Sequence, residues 1–344
     1  MKVLHVIPVS SRAEELRFHG STKDIRGRTE IFKSLGLSVK EIAVSRQDKV
    51  LIEILKKKWV SKFGIVLIDG PGSFPKAVRY IKKNSPKSVV IYRSHNPEFF
   101  HRIDWMLAEP TIIGKYQRLK RAVNGLWRDI KTIRHADYIF PISDWDAEHY
   151  WRHLGSSRKV VTVPYFLPTA YLDENTGNQT KDKLCVSFSA IQATPLMADA
   201  IRNFVAIIDG LGADRGDWVF SVVGNACDVD IDHAKIKAMG VIESPFDVLN
   251  RARAVAILSD YGRGFKTKIL EAIRARAYVI VTPVLYKRLP REVLPYCIPV
   301  RKTSVDDFRT ALDKCMEPFP PGDPNSELKS RALTAMSSVF KDVS

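Results

Sequence analysis

GRGFKTKILEAIRARAYVIVTPV, Gly262 to Val284, sets a glycine-rich turn, a helix and a strand in direct succession. Gly262 and Gly264 let the backbone come close to a ligand, while Ile269, Leu270, Ile273 and Ala277 recur at helical spacing. Thr267 is placed as the N-cap, so Lys266 and Lys268 fall at a helix N-terminus, where the macrodipole disfavours cations by about 0.3–1 kcal/mol. An external anion removes that conflict. Backbone N–H groups, the dipole and two ammonium groups together suit a phosphate or diphosphate, and Glu271, one turn further in, can accept hydrogen bonds from the vicinal hydroxyls of a ribose. A second reading stands beside it: both lysines point into water, and Glu271 pairs with Lys268 three residues away.

The strand ending this stretch, Tyr278 to Thr282, is one of a long series. Short β-branched runs at Lys2–Val9, Ser38–Ala43, Gly64–Asp69, Ser88–Arg93, Tyr138–Ile142 and Val160–Val163 are separated mostly by helical segments. The rhythm restarts at Leu184–Ser189, Trp218–Val223, Gly240–Ile242, Ala254–Leu258, Tyr278–Thr282 and Cys297–Val300. Strands alternating with helices predict parallel sheets covered on both faces. Between the two series lies PTAYLDENTGNQTKDK, polar and nearly free of aliphatics, which reads as a linker. The expected fold is α/β, two doubly wound Rossmann-like domains facing across a cleft: residues 1–168 as an acceptor-binding domain, 169–183 as the linker, 184–325 as the ligand-binding domain of the opening stretch, and 326–344 as a C-terminal helix.

With 344 residues, 45% of them apolar, the chain can fill two cores, and no apolar run reaches the roughly 18–20 residues of a membrane span. MKVLHVIPV is followed by charged sequence instead of a signal-peptide cleavage region, so a cytoplasmic location is expected. Cys185, Cys227, Cys297 and Cys315 form no CxxC pair and read as buried fillers. The net charge of +16 is lopsided: residues 1–170 hold 31 Lys and Arg against 16 Asp and Glu, whereas residues 171–344 hold 23 against 22. Its densest part, Phe99 to His135, interleaves Trp105, Ile112, Ile113, Tyr116, Leu119 and Trp127 with Arg102, Lys115, Arg118, Lys120, Arg121 and Arg128. That mixture suits the headgroup level of an anionic membrane, here its inner face. A solvated helix with its apolar stripe on the core is the plainer alternative. No recognition helix, zinc finger or RNA-binding signature accompanies the charge, so nucleic acid is not expected.

Several blocks resemble the GT-B glycosyltransferases, and among them the retaining family 4 (group 1) enzymes that use nucleotide-sugar donors. ILEAIRARAYVIVTP is the most specific, and Glu271 within it matches the ribose-binding glutamate of that family. VVGNA at Val222–Ala226 and GVIESPFDVLNRARAVAILSD at Gly240–Asp260 are similar to the turn after the second strand and the region near the donor base. YRSHNPEFFHR places His95 just past a strand end, where similar enzymes keep a histidine beside the donor sugar and acceptor, and HADYIFPISDWDAEHYW with VPYF looks like the last strand of the first domain. The resemblance implies His95 and Gly20 at the reaction centre, and Gly224, Asn225, Arg263, Gly264, Phe265, Lys266, Thr267, Lys268 and Glu271 around the donor. The chain departs from the pattern in three places: Arg263 stands where the first of two glutamates is usual, Ser187–Met197 after the first strand of the second domain holds no Lys or Arg where a basic pair is usual, and the N-terminal loop has one glycine instead of two.

What the resemblance implies is transfer of a hexosyl-type sugar from a nucleotide sugar of the UDP or GDP type to a hydroxyl of a lipid-linked or polysaccharide acceptor. Retention is expected, with the departing phosphate accepting the proton. No DxD motif lies beside the opening stretch, DVD at Asp228–Asp230 being elsewhere, so no metal or other cofactor is expected. The same residues leave open a nucleotide-sugar epimerase or a non-enzymatic nucleotide or nucleic-acid binding protein. His95 can equally be a turn residue, Gly20 a loop glycine, and Asp69 and Asp24 either turn formers or the base of an inverting enzyme.

Overall fold

Runs such as residues 65–68 carry no polar face, so only a sheet covered on both sides buries them. In the computed structural model they do so in two all-parallel sheets. The structure describes residues 2–9, 17–45, 48–56, 60–69, 74–172, 181–189, 195–212, 216–225, 229–232, 234–261 and 263–341. The first sheet comprises β1 (Lys2–Pro8), β2 (Ser38–Val44), β3 (Ile65–Asp69), β4 (Val89–Ser94) and β5 (Tyr138–Pro141), ordered β2-β1-β3-β4-β5. Its helices are α1 (Gly20–Ser34), α2 (Asp48–Leu55), α3 (Pro75–Asn84), α4 (Glu98–Leu107) and α5 (Ile112–His135). The second comprises β6 (Asp182–Phe188), β7 (Val219–Val223), β8 (Ile236–Gly240), β9 (Ala252–Ile257), β10 (Tyr278–Val281) and β11 (Cys297–Pro299), ordered β11-β10-β9-β6-β7-β8. That is the doubly wound dinucleotide-fold order.

The chain divides into two compact units. Unit 1 holds residues 1–168, Arg263–Lys266 and Ser326–Ser344; unit 2 holds Thr169–Gly262 and Thr267–Asn325. In unit 1, Leu4, Val66, Tyr92 and Ile139 from the sheet pack with Ile81, Ile133 and Trp151. Phe204, Phe220 and Phe308 meet edge-on or tilted in unit 2, with ring centroids 6.2–6.5 Å apart. Burying each such side chain contributes about 1.5–3 kcal/mol. Strand order reverses between β1 and β3 in unit 1 and between β6 and β9 in unit 2, and beyond the carboxyl ends at such switch points open sheets collect their ligands.

Three expectations need correction. Val160–Val163 makes only an isolated bridge, Val160 to Ile139, because Val161 and Val163 donate to β5 carbonyls without a second neighbour. The strand expected at Gly240–Ile242 lies earlier and ends at Gly240, whose φ of +65° turns the chain out of the sheet. The helix of the opening stretch spans only Lys268–Arg274. It closes in a Schellman turn, Arg276 N–H to Ile273 O and Ala277 N–H to Ala272 O, which puts Ala277 after the helix.

Candidate functional site

At the carboxyl end of the first sheet the chain buries an unusual number of charges. Asp24 and Arg28, four residues apart, share one face of α1 and pair at 2.8 Å. β3 ends in Asp69, and β4 supplies Arg93 and then His95 just beyond it. Arg93 grips Asp24 with two bonds, Nη2 to Oδ1 at 2.7 Å and Nε to Oδ2 at 3.0 Å, and also donates to the carbonyls of Pro141 and Val163. Arg28 Nε donates to Asp69 Oδ2, which also lies 3.1 Å from His5 Nε2. His95 Nε2 is 2.8 Å from Asp69 Oδ1 and 3.2 Å from Asp24 Oδ2.

A buried ion costs several kcal/mol to desolvate unless it is paired, so these groups stand or fall together. Burial pushes both carboxyls up, but Arg28 with the bonds from His5 and His95 at Asp69, and Arg28, Arg93 and His95 at Asp24, together outweigh it, so both lie far below the ordinary carboxylate range. Burial pulls His95 down, yet its bonds to Asp24 and Asp69 leave it above its ordinary value; His5 behaves alike through Asp69 and Glu41. Asp24, Asp69 and His95 present ligand atoms within 4.8 Å of one another, a spacing that suits a cation. The two guanidinium groups already occupy both carboxylates, so the donor set is neutralised from within the protein.

Of the two readings of Asp24 and Asp69, turn former or base, neither describes this network: they are anchors for arginine and histidine. Gly20 opens α1 one turn before Asp24. Arg28, Arg93 and His5 escaped the sequence reading. Their signals were a histidine inside the apolar run of β1, an arginine inside that of β4, and the Asp24–Arg28 spacing on a helix.

The segment Arg263–Lys266, distant in sequence, belongs to this same unit. Gly264 has φ +74°, and a Cβ there would run into the carbonyl oxygen of His95 and stand 2.5 Å from Asn96 Oδ1. Arg263 lies over both the Phe100 and Trp145 rings, 4.9 and 5.1 Å from their centroids, with Nη2 3.3 Å from the buried Asp104. Phe265 stacks on Tyr165 at 5.5 Å. Burial pulls the His101 imidazole below its ordinary range, and Lys266 acts in the same direction. Arg263, standing where a glutamate is usual, is thus a packed side chain with an acidic partner.

In unit 2, Thr267 takes the N-cap position but has helical angles and no side-chain capping bond. Lys268 Nζ lies 2.7 Å from Oε2 of the fully buried Glu271 and 5.0 Å from the centroid of Phe188, the last residue of β6. The pairing left open by the sequence is therefore made. Gly224, φ +97°, donates from its N–H to Gly240 O at 2.7 Å, and the Asn225 carbonyl accepts from Ser189 Oγ. Gly262 lies outside the described residues, as does Asp228; Asp230 is exposed.

On α5 the stripe Ile112, Tyr116, Leu119, Val123 and Trp127 faces outward, and so does Ile113. Lys115, Lys120 and Arg121 are exposed beside it. Two of the six cations assigned to a membrane are engaged internally: Arg102 pairs with Glu98 at 2.9 Å, and Arg118 pairs with Glu109 at 2.7 Å and lies over Trp105. Arg128 is half-buried. Among the described residues no helix is long and apolar enough to cross a membrane.

Two doubly wound units built on parallel sheets of five and six strands define the chain as a two-domain α/β protein of the GT-B fold. Solved structures with that fold superpose along its whole length. HepE of Anabaena, in complex with UDP and glucose, is 12% identical over 100% of this chain and 99% of its own, with a TM-score of 0.57. WaaB, a lipopolysaccharide outer core galactosyltransferase, is 12% identical over 99% and 100%, with a TM-score of 0.58. MnaA of S. aureus, in a structure with UDP, is 12% identical over 99% and 97%, with a TM-score of 0.58. No family model matches the chain, and no curated protein matches it in sequence.

Proposed function

We propose that this chain is a glycosyltransferase that moves a sugar from a UDP- or GDP-type nucleotide sugar to a hydroxyl of a lipid-linked or polysaccharide acceptor, with retention and without a metal. The observation that carries the reading is the abutment of Gly264 on His95 within unit 1. The glycine turn read from the sequence as a phosphate loop and the histidine read as the reaction-centre residue share one place. Fold likeness to structures holding UDP supports it.

In the proposed reaction the bond from the anomeric carbon to the phosphate oxygen breaks and a bond to the acceptor oxygen forms. The acceptor proton passes to the departing phosphate. Charge grows on the diphosphate, and Lys266 and Lys268 are the cations assigned to it, with Glu271 on the ribose. Asp24 and Asp69 are poor general bases, since each is held by a guanidinium and lies far below neutral pH; that favours retention over an inverting mechanism. They hold the His95 ring by Nε2, and Nδ1 has no partner among the described residues, leaving it for the donor sugar. The exposed Ile112–Trp127 stripe flanked by Lys115, Lys120 and Arg121 supports peripheral contact with an anionic membrane, where a lipid-linked acceptor would be met.

A thermal-shift screen of UDP, GDP and ADP sugars tests the donor assignment, because a ligand of the native state raises stability by mass action. One nucleotide sugar should stabilise the wild type and fail to stabilise Glu271→Ala. Release of nucleoside diphosphate that depends on added acceptor is the expected turnover; conversion of the sugar without acceptor would favour the epimerase. Stabilisation by no nucleotide sugar, or by the same one equally in Glu271→Ala, removes the assignment.

A further inference from the structure

Unit 2 holds a cavity of about 280 Å³ at the end of its sheet opposite to Phe188, Ser259 and Thr282. Its position follows from chain order: Lys181 precedes β6, Arg253 is the second residue of β9, and Arg276 and Tyr278 sit at the start of β10. Carboxyl-end ligands of the sheet therefore do not reach it. Lys181, Arg253 and Arg276 line it together with Tyr278 and Phe319, and Glu317 is the one carboxylate among the described residues of its lining.

Among the described residues none of the three cations has an acidic partner within ion-pair distance. Lys181 Nζ donates to the carbonyls of Leu249 and Asn250, at 2.9 and 2.8 Å. Arg253 donates to the Lys181 carbonyl at 3.3 Å, and its Nε is buried without a partner. Arg276 lies over the Phe319 ring, 5.3 Å from the centroid. The adjacent carboxylate, Asp182, is taken by Arg251 at 2.7 Å. Burial, then the charges of Arg253 and Arg276, pull the Lys181 ammonium down to about 8.

The backbone adds an independent sign. Arg276 has φ +59°, the one non-glycine residue in the left-handed region among the described residues. It fills the C′ position of a Schellman turn, where glycine is favoured; the equivalent turn closing α1 uses Gly36 at φ +66°. Nothing in the turn calls for an arginine. Its side chain is instead oriented on Phe319 at the wall of the cavity, and strain kept at one residue is a mark of sites where that side chain has a task.

We propose that this cavity is a second anion site, which binds a small phosphate monoester. Lys181 and Arg253, both half-buried, and the exposed Arg276 converge on this half-open cavity without the counter-charge that a dianion supplies, and the planar fork of a guanidinium matches phosphate oxygens. Tyr278 and Phe319 give the organic part an apolar wall. The volume, about 280 Å³, lies just below the usual range of ligand pockets and suits a small molecule.

Phenyl phosphate is titrated calorimetrically into the full chain, into Arg253→Gln/Arg276→Asn, and into Lys268→Gln. Asparagine tolerates the left-handed region, so the turn is spared. Wild type and Lys268→Gln should bind alike, and the double variant at least about tenfold more weakly, as loss of charge-assisted bonds implies. Should the double variant fail to fold by circular dichroism, Lys181→Met is held to the same criterion. Absence of binding to the wild type at millimolar concentration, equal affinity in the cavity variant, or a loss confined to Lys268→Gln overturns the proposal.

Discussion

Replacing Asp69 by Asn should unsettle unit 1 more than any other isosteric change in it. The carboxylate is fully buried and answers three groups at once: Arg28, His5 and His95. Asn keeps the shape and removes the charge, leaving Arg28 with Asp24 alone, which Arg93 already grips. Breaking a buried pair from one side costs about 3–5 kcal/mol. For a unit of this size that lowers Tm by about 6–20 °C. Five of the six tryptophans lie before residue 169, so their fluorescence during urea or thermal unfolding reports on unit 1.

The pH dependence has a definite sign. Asp24 and Asp69 have lowered folded values, so their stabilisation is present above the unfolded carboxylate value near ~4 and is lost as pH falls through the folded values. His5 and His95 have raised values, so theirs is full below about 6.5 and is lost as pH rises through the folded values. The gap between wild type and Asp69→Asn should therefore be widest between about pH 4 and 6.5. NMR titration should also show His95 falling in the variant. A stability loss below about 1 kcal/mol, the range of solvated surface pairs, with His95 unmoved, would refute the account of a desolvated network.

Gly264→Ala sets a methyl group against the His95 carbonyl and 2.5 Å from Asn96 Oδ1 at a φ of +74°, so turnover should fall at least about a hundredfold, as a 1 Å displacement near a reaction centre does, with the far-UV spectrum retained. Cys185, Cys297 and Cys315 are buried, and burial pushes each thiol up, Cys315 to about 12; in native protein at pH 8 all three should resist iodoacetamide and become labelled only in denaturant. Co-sedimentation with anionic vesicles should be lost in Ile112→Asp/Trp127→Asp and weakened in Lys115→Gln/Lys120→Gln/Arg121→Gln, with affinity falling as salt rises; vesicle binding indifferent to all these changes would leave α5 as an ordinary surface helix.

The sequence by itself determined the number of sheets, their parallel sense and the place of most strands. Apolar runs of four to eight residues separated by helices leave few other ways to bury so much surface, and the information lies within each run. The glycine turn carries local chemical meaning, glycines standing before a helix, whereas His95 was marked by resemblance and not by its own neighbours. Element ends were less legible: Val160–Val163 lacks a second partner strand, and the opening helix stops at Arg274 because Arg276 enters the left-handed region, which no local pattern announces.

Only the tertiary structure decided what the charged residues do. Asp24, Asp69, Arg28, Arg93, His5 and His95 come from three strands, a helix and a strand end, and apart from the Asp24–Arg28 spacing nothing local pairs them. Their pairing is dictated by the low-dielectric interior into which the fold gathers them, where each charge must find another. Distance in sequence likewise hid the meeting of Gly264 with His95, and of Lys181 with Arg253 and Arg276. Local physics writes the strands into the chain, whereas desolvation, which exists only once the strands have packed, assigns the ionisable side chains their partners.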